Sequence, residues 1–503
     1  MNLLRTTAVA VLLLAVMVAG CTGTPKTDPS HIDNNAPGDE ASVEERPRTL
    51  QADYGVHVED KTLYMGVLND ESGPQAAAGK AWANGKRLLS LWINSGRSEL
   101  LPEGWKLELI ERDHASNAKK SVQAYQELKD KVLFFGTSFG EPATEALEKM
   151  LREDDVLLYP SSLSSQASAY EYTPPSGTNY KAEAMRAMDW IAKERTASGT
   201  PMAAVIYRQG RYGEDGLAGW TESAAANGIA VVARESVGPE QKDFTAAVAA
   251  AQAAGATHVL LATLPAATRA ILAAALERGY KPAWLVNTPA WSDSFFDTDV
   301  LPAGALTNLY RVSGMPYWGE KVPGMEKFLA AWDSHGSAFG DPDCNTLFSF
   351  LQGLLSIETF RIALERNDAT RSGYRQALSK VSHFDAGGML PPMDFSEVPF
   401  RATNRSRILK PKFAERSWAV IGDYAPPLAA PASTEGEQAD APAEADAPTE
   451  EAAPTEEAAP TEKAAATEKA AATEEAAATE EAAAIEEAAP KQEAAPAAEA
   501  QGG

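Results

Sequence analysis

The stretch Lys61–Asn94, KTLYMGVLNDESGPQAAAGKAWANGKRLLSLWIN, decides the architecture. It opens with an apolar run, Leu63–Leu68, of strand length. Asn69-Asp70-Glu71-Ser72-Gly73-Pro74 follows, residue types that favour turns rather than repeating backbone. Ala77, Ala81, Leu88, Leu91 and Trp92 then fall at helical spacing with Lys and Arg between them. Strand, polar loop and helix make the first half of a βαβ unit. In open α/β sheets, ligands sit at the loops that leave strand carboxyl ends.

Downstream the unit repeats. Strands are expected at Leu107–Arg112, Val132–Phe135 and Val156–Tyr159. Helices are expected from the N-cap Asn117 to Leu128 and over Glu141–Arg152. After Tyr172-Thr173-Pro174-Pro175 the series restarts, with helices at Lys181–Glu194, Glu214–Asn227, Asp243–Ala254 and Ala266–Arg278. Its strands are Ala203–Tyr207, Ile229–Arg234, His258–Ala262 and Trp284–Asn287. Such alternation implies an α/β fold of doubly wound parallel sheets, and the restart implies two of them.

Both ends differ in character from this core. Met1–Gly20 has Arg5 and then the apolar Ala8–Val18, the pattern of a signal peptide and too short for a comfortable span. Val18-Ala19-Gly20-Cys21 resembles a bacterial lipobox, which implies lipidation of Cys21 and anchoring to a membrane through lipid alone. Thr22 after the cysteine leans towards the outer membrane where a cell has two. Residues 21–60, rich in Pro, Asp, Asn and Glu, read as a flexible tether. Residues 425–503 form an Ala/Glu/Pro/Thr tail of six-residue repeats such as PTEEAA, with almost nothing large enough to bury, and are expected to be disordered. Residues 427–503 hold 19 acidic and 3 basic residues, so most of the formal net charge of −25 lies there. The globular part is only mildly acidic, which argues against nucleic acid as a partner.

Several blocks of the core, taken in order, resemble the type 1 periplasmic binding proteins of the branched-chain amino acid (Leu/Ile/Val) group. They are GVLNDESGP at 66–74, NGKRLLSLWIN at 84–94, ERDHASNAKKSVQAYQEL at 111–128 and FFGTSFGEPATEAL at 134–147. VIYRQGRYGEDG at 205–216 and KDFTAAVAA at 242–250 complete the set. The resemblance implies two lobes joined by three hinge crossings, near Tyr172–Ser176, Ala305–Val312 and Asp394–Lys410, with a small-molecule ligand between them. Lobe 1 is then 61–174 plus 312–394, and lobe 2 is 175–311 plus 395–424. It also implies an ABC transporter permease as partner, no cofactor and no catalysis.

By the same resemblance, ligand contacts fall at loop–helix junctions, where helix N-termini leave N–H donors free. The candidates are Ser138 and Phe139, Ser161 and Ser162, Tyr212 packing on the ligand from lobe 2, and Ser72 in the lobe 1 mouth loop. Glu141 stands where relatives carry Thr or Ser, and its carboxylate repels an anionic ligand unless it turns to solvent as a helix-end charge. Thr263 follows the His258–Ala262 strand. No acid follows Trp284–Asn287 until Asp293, so a ligand ammonium lacks its expected partner, and burying one unpaired is costly. An α-amino acid is therefore less favoured than the resemblance implies, and Trp291 offers an aromatic wall; the expected solute is small, organic and uncharged or weakly charged, whether amino-acid-like, amide or aromatic.

Other chemistry is weaker. Gly136-Thr137-Ser138-Phe139-Gly140 matches the nucleophile-elbow pattern G-x-S-x-G. It lacks an upstream HGGG segment, and His258, His383 and Asp299 are its only generic triad partners. Gly73–Lys80 has the wrong glycine spacing for a phosphate loop, and Ala81 stands where Ser or Thr is needed. His31, His57, His114 and His335 lack metal-ligand spacing, so no metal site is expected. Cys344, the one cysteine besides Cys21, is expected to be a buried, inert filler. The sequence thus points to an extracytoplasmic solute-binding lipoprotein for ABC-transporter uptake. A regulator of the same fold, such as an activator of penicillin-binding proteins, is the alternative, and a serine hydrolase using Ser138 a distant third.

Overall fold

A computed structural model describes residues 49–194, 200–398, 400 and 402–428. The expected signal segment, Cys21 and nearly all of the repeat tail lie outside these residues.

The chain begins with two short strands, β1 (Gln51–Ala52) and β2 (Val56–His57). The first βαβ unit follows as expected: β3 (Thr62–Asn69), α1 (Ala76–Asn94) and β4 (Lys106–Asp113). After α2 (Ala118–Leu128), capped by the Asn117 side chain accepting from the Lys120 N–H, comes β5 (Phe134–Ser138). Here the structure departs from the single helix expected over Glu141–Arg152. It has two short ones, α3 (Glu141–Glu145) and α4 (Glu148–Glu153), before β6 (Leu158–Pro160). The break lets Leu147 and Leu151 both enter the core, while Glu145 and Glu148 turn together towards Arg211. In this first sheet β3 lies between β4 and β5 in parallel, β6 follows β5, and β2 pairs antiparallel with the start of β3.

The second sheet takes the next segment: α5 (Tyr180–Lys193), β7 (Met202–Arg208), α6 (Arg211–Ala226), β8 (Ala230–Val237) and α7 (Thr245–Ala253). Then come β9 (His258–Ala262), α8 (Pro265–Glu277), β10 (Ala283–Val286) and β11 (Leu309–Ser313). The chain returns to lobe 1 through α9 (Pro323–His335), α10 (Cys344–Glu365), β12 (Asp368–Ala369) and α11 (Arg371–Leu378). It ends in lobe 2 with the hairpin β13 (Ser406–Lys412) and β14 (Ser417–Ala425). The strand order there is β14-β13-β11-β10-β9-β7-β8, parallel except for the hairpin.

Three boundaries move from their expected places. Val312 and Ser313 still pair with β13, so the second crossing begins at Gly314 rather than within Ala305–Val312. Phe395, Phe400 and Ala402 pack in the lobe 1 core, so lobe 1 runs on past 394 and the third crossing is Thr403–Arg405. Gln51–His57, read as the end of the tether, belongs to the fold. Gln51 pairs with Asp368, and Val56 is buried beside Leu63. Two-residue strands leave no periodic signal, so this was not legible.

Each lobe has its own core. In lobe 1, Phe134 stacks on Tyr374 at 4.5 Å, and α1 lies close against α10. At that contact the buried Lys86 ammonium donates to Ser349 O and Oγ and to Gln352 Oε1, at 2.6, 3.1 and 3.1 Å. Burial drives its pKa well below the usual lysine value. α10 is long and apolar enough to cross a membrane, yet it is mostly buried as a core helix.

The three crossings converge at Gly314. A Cβ there would lie 2.6 Å from Thr178 Oγ1, just past the first crossing, and 3.3 Å from Arg405 O, in the third. Thr178 Oγ1 itself donates to Arg405 O. A cavity of about 530 Å³ opens beside the first and third crossings, lined by Ser165, Pro175, Asn179, Phe400 and Thr403 among others.

Candidate functional site

The seam between the lobes is built from strand carboxyl ends and helix starts. In lobe 1, Gly140 at φ +88° follows β5 and opens α3. In lobe 2, Gly210 at φ +104° opens α6 in the same way. Only glycine adopts such angles without strain. Glu141 and Arg211 are therefore the first residues of two helices, one from each lobe, and they meet.

Glu141 does not turn to solvent. Its carboxylate accepts from Ser162 Oγ at 3.5 Å and reaches into lobe 2 to the backbone N–H of Tyr212. Burial raises its pKa, opposed by hydrogen bonds from Ser164 and the Tyr212 N–H and by the charge of Arg211. A side chain of the protein thus occupies N–H donors at the start of α6, across the seam from the α3 junction at which the resemblance implies a ligand. Arg211 in turn pairs with Glu145 at 2.7 Å and Glu148 at 3.5 Å in lobe 1. Four residues along α6, buried Asp215 accepts from the N–H of Ser165 at 2.6 Å and from its hydroxyl. A fourth link joins Asp293 of lobe 2 to the N–H of Cys344 at the start of α10, at 3.1 Å.

Tyr212 is buried. Its hydroxyl donates to Asn287 Oδ1 at 2.5 Å and lies 3.2 Å from Thr263 O, and its ring meets Tyr180 edge-on at 4.8 Å. Thr263 is buried beside it, its hydroxyl paired with that of Thr268. Ser161 Oγ accepts from the Gly140 N–H at 3.0 Å, and Phe139 tilts against Trp82. Phe139, Ser161, Ser162, Tyr212 and Thr263 therefore gather around the Gly140 and Gly210 turns.

The side chains of the remaining candidates are engaged within their own lobes. Ser138 is fully buried and accepts from Thr144 Oγ1 at 2.8 Å, so its hydroxyl serves the turn into α3. His258 is hydrogen-bonded to its neighbour Thr257, not to Ser138. Ser72 donates to Asp113 at 2.5 Å and locks the β3–α1 loop to the end of β4. Burial would raise the Asp113 carboxyl, but the Ser72 hydroxyl and the N–H groups of Glu71 and Ala115 outweigh it and hold it at about 2. Trp291 is buried in an aromatic cluster with Phe295, Phe296 and Trp418, its N–H on Asp293, so its ring walls the lobe 2 core.

Three features of the seam escaped sequence reading. Buried Glu183, in the first turn of α5, accepts from Thr288 N–H and Oγ and from the Gly314 N–H at the second crossing. Burial pushes its pKa up to about 7, despite those donors and the nearby Arg311. Arg407 grips Glu320 with both ends of its guanidinium, at 2.5 and 2.6 Å. Arg311 is fully buried in the middle of an apolar strand, and none of its three side-chain nitrogens has a hydrogen-bond partner among the described residues. The signal for the last was available: an arginine at strand period with Leu309 and Ser313. Among the described residues no group of His, Cys, Asp and Glu is placed to hold a metal ion.

Residues 62–414 match the family model described as periplasmic binding protein. No curated protein matches the chain. Among solved structures, a fatty acid ABC transporter substrate-binding protein from Thermomonospora curvata superposes with a TM-score of 0.67 at 22% identity, covering 75% of this chain and 95% of its own. A branched-chain amino acid ABC transporter protein from Thermus thermophilus with bound valine gives 0.64 at 18%, covering 73% and 97%. A branched-chain amino acid transporter substrate-binding protein from Streptococcus pneumoniae, in complex with isoleucine, gives 0.59 at 17%, covering 73% and 100%. At these identities the likeness concerns the fold.

Proposed function

Because the chain belongs to the periplasmic binding protein family, we propose that it is an extracytoplasmic solute-binding lipoprotein that captures a small organic solute between its lobes and hands it to an ABC transporter permease. The observation that carries this reading is the seam itself. Strand-end loops and helix starts of both lobes come together at Gly140–Glu141 and Gly210–Tyr212, backed by three crossings that meet at Gly314. Contacts that exist only when the lobes are shut favour the shut state, and a solute touching both lobes adds to them. Tyr212, Phe139, Ser161 and Ser162 are the proposed ligand contacts.

The test is a thermal-shift screen of amino acids, amides, aromatic and aliphatic acids and polyols against the full chain. A true ligand present at a hundredfold its Kd stabilises by about 2.7 kcal/mol, a shift of several degrees, and lowers the radius of gyration seen by X-ray scattering. Anchoring through Cys21 is tested separately. Wild-type protein should sediment with membranes and take up labelled palmitate, and Cys21→Ala should do neither.

One observation favours a second reading, a non-transport regulator of the same fold. The chain's own Glu141, Arg211 and Asp215 already link the lobes. A melting temperature and scattering profile that no compound in the screen alters would move the assignment there.

A further inference from the structure

Arg311 sits in β11 in register with Val286 of β10 and Leu409 of β13, a row otherwise apolar and buried. Its guanidinium carbon lies 5.7 Å from the ring centre of Trp418 in lobe 2 and 5.8 Å from that of Phe348 on α10 in lobe 1. The cation therefore spans the seam, fully enclosed, with two aromatic rings as its neighbours and no hydrogen-bond acceptor for any of its nitrogens among the described residues.

The carboxylates around it are committed elsewhere. Glu183 is close enough to feel the charge but makes no ion pair with it, and its oxygens accept from Thr288 and Gly314. Asp293 is bonded to the Trp291 and Cys344 N–H groups. Glu320 is held by Arg407. A buried guanidinium with five N–H donors and no acceptor is among the costliest arrangements a protein core holds. Its planar fork matches one partner above others, a carboxylate taken through two parallel hydrogen bonds.

We propose that Arg311 is the receptor for the carboxylate of the solute, which is therefore an organic acid with an apolar body suited to the Phe348 and Trp418 rings. The inference rests on the solute-binding reading above and narrows it. Phe348 and Trp418 belong to different lobes, so separating the lobes uncovers the cation and closing them seals its ion pair away from water. Glu141 is consistent with this division. It fills the α6 N-terminus with a carboxylate of the protein itself, and the unmatched positive charge of the seam is left at Arg311.

The experiment uses matched pairs, phenylacetate with phenylacetamide and hexanoate with hexanamide, on full-length wild type and Arg311→Gln. Expected is a melting shift of several degrees by an acid but not by its amide, with affinity for that acid falling about a hundredfold in Arg311→Gln. Without any compound, Arg311→Gln should melt at or above the wild-type temperature, since it removes an unpaired buried charge. An amide that stabilises as well as its acid, or an acid shift that survives in Arg311→Gln, overturns the assignment while leaving the solute-binding reading intact. A fall of several degrees in the uncomplexed variant also overturns it, showing that Arg311 serves the fold. Failure of every acid here, with a neutral compound active in the broader screen, rejects Arg311 alone. Failure of every compound in both rejects the solute-binding reading with it.

Discussion

At the scale of single residues, Glu183 is the clearest place where chemistry and stability are coupled. Its carboxyl is fully buried and its pKa rises from 4.5 to about 7 on folding. Below pH 4.5 the group is protonated in folded and unfolded chains alike, and its contribution to stability is complete. As pH climbs through 7 the folded protein must hold a charge that the unfolded chain holds more easily, so stability declines. A shift of this size corresponds to about 3 kcal/mol between pH 4.5 and 8. Glu183→Gln should lose most of that slope, measured as urea midpoints at the two pH values. Asp113, held at about 2, has the opposite sign and acts only in more acid solution, outside this window. Tyr212→Phe removes the donor to Asn287 and should cost about 1–2 kcal/mol in unfolding free energy, because the buried amide oxygen loses its shortest partner.

Among elements, the strand–loop–helix unit recurs with one spatial solution in both lobes. A Cβ on Gly79 in α1 would lie 1.8 Å from the Asp70 carbonyl oxygen. A Cβ on Gly213 in α6 would lie 1.8 Å from that of Arg208. In each case the helix start is pressed onto the end of the strand before it, and backbone cannot yield as a side chain does. Gly79→Ala and Gly213→Ala should each lower stability by about 3 kcal/mol or more, beyond ordinary overpacking, visible as reduced melting temperatures. The alternation of elements up to Asn287 was legible because half-exposed helices and buried strands carry opposite periodicities. α10 was not: sandwiched in the core, it is apolar on nearly every side and has no stripe to read. The site was less legible still. Glu183 and Gly314 are 131 residues apart, and Ser165 and Asp215 are 50 apart, so no local spacing announces either pair. What could be read was the strand-end loops; which of their side chains face across the seam depends on how the lobes meet.

For the whole molecule, the seam is held by a few polar links, with Leu163 packed into the lobe 2 core near the first crossing, rather than by a continuous core across its length, as a reversible closure requires. Arg211 is a quarter exposed, so its pairs with Glu145 and Glu148 are worth little individually. Asp215 is buried, and its two bonds to Ser165 weigh more. Asp215→Ala should therefore favour the open form. The expected outcome is a larger radius of gyration by X-ray scattering and weaker solute binding, with the melting temperature falling by only a few degrees. Arg211→Ala should move both readouts in the same direction but less.

The β13–β14 hairpin, made of residues 406–425, completes a sheet whose first strand begins at residue 202. Until those twenty residues leave the ribosome, β11 is an uncovered edge and Trp418 is missing from the aromatic cluster around Trp291. Pairings so distant along the chain form late and slowly. A nascent polypeptide of this design stays unfinished until residue 425 has emerged, the condition in which a chain is threaded through a translocation pore.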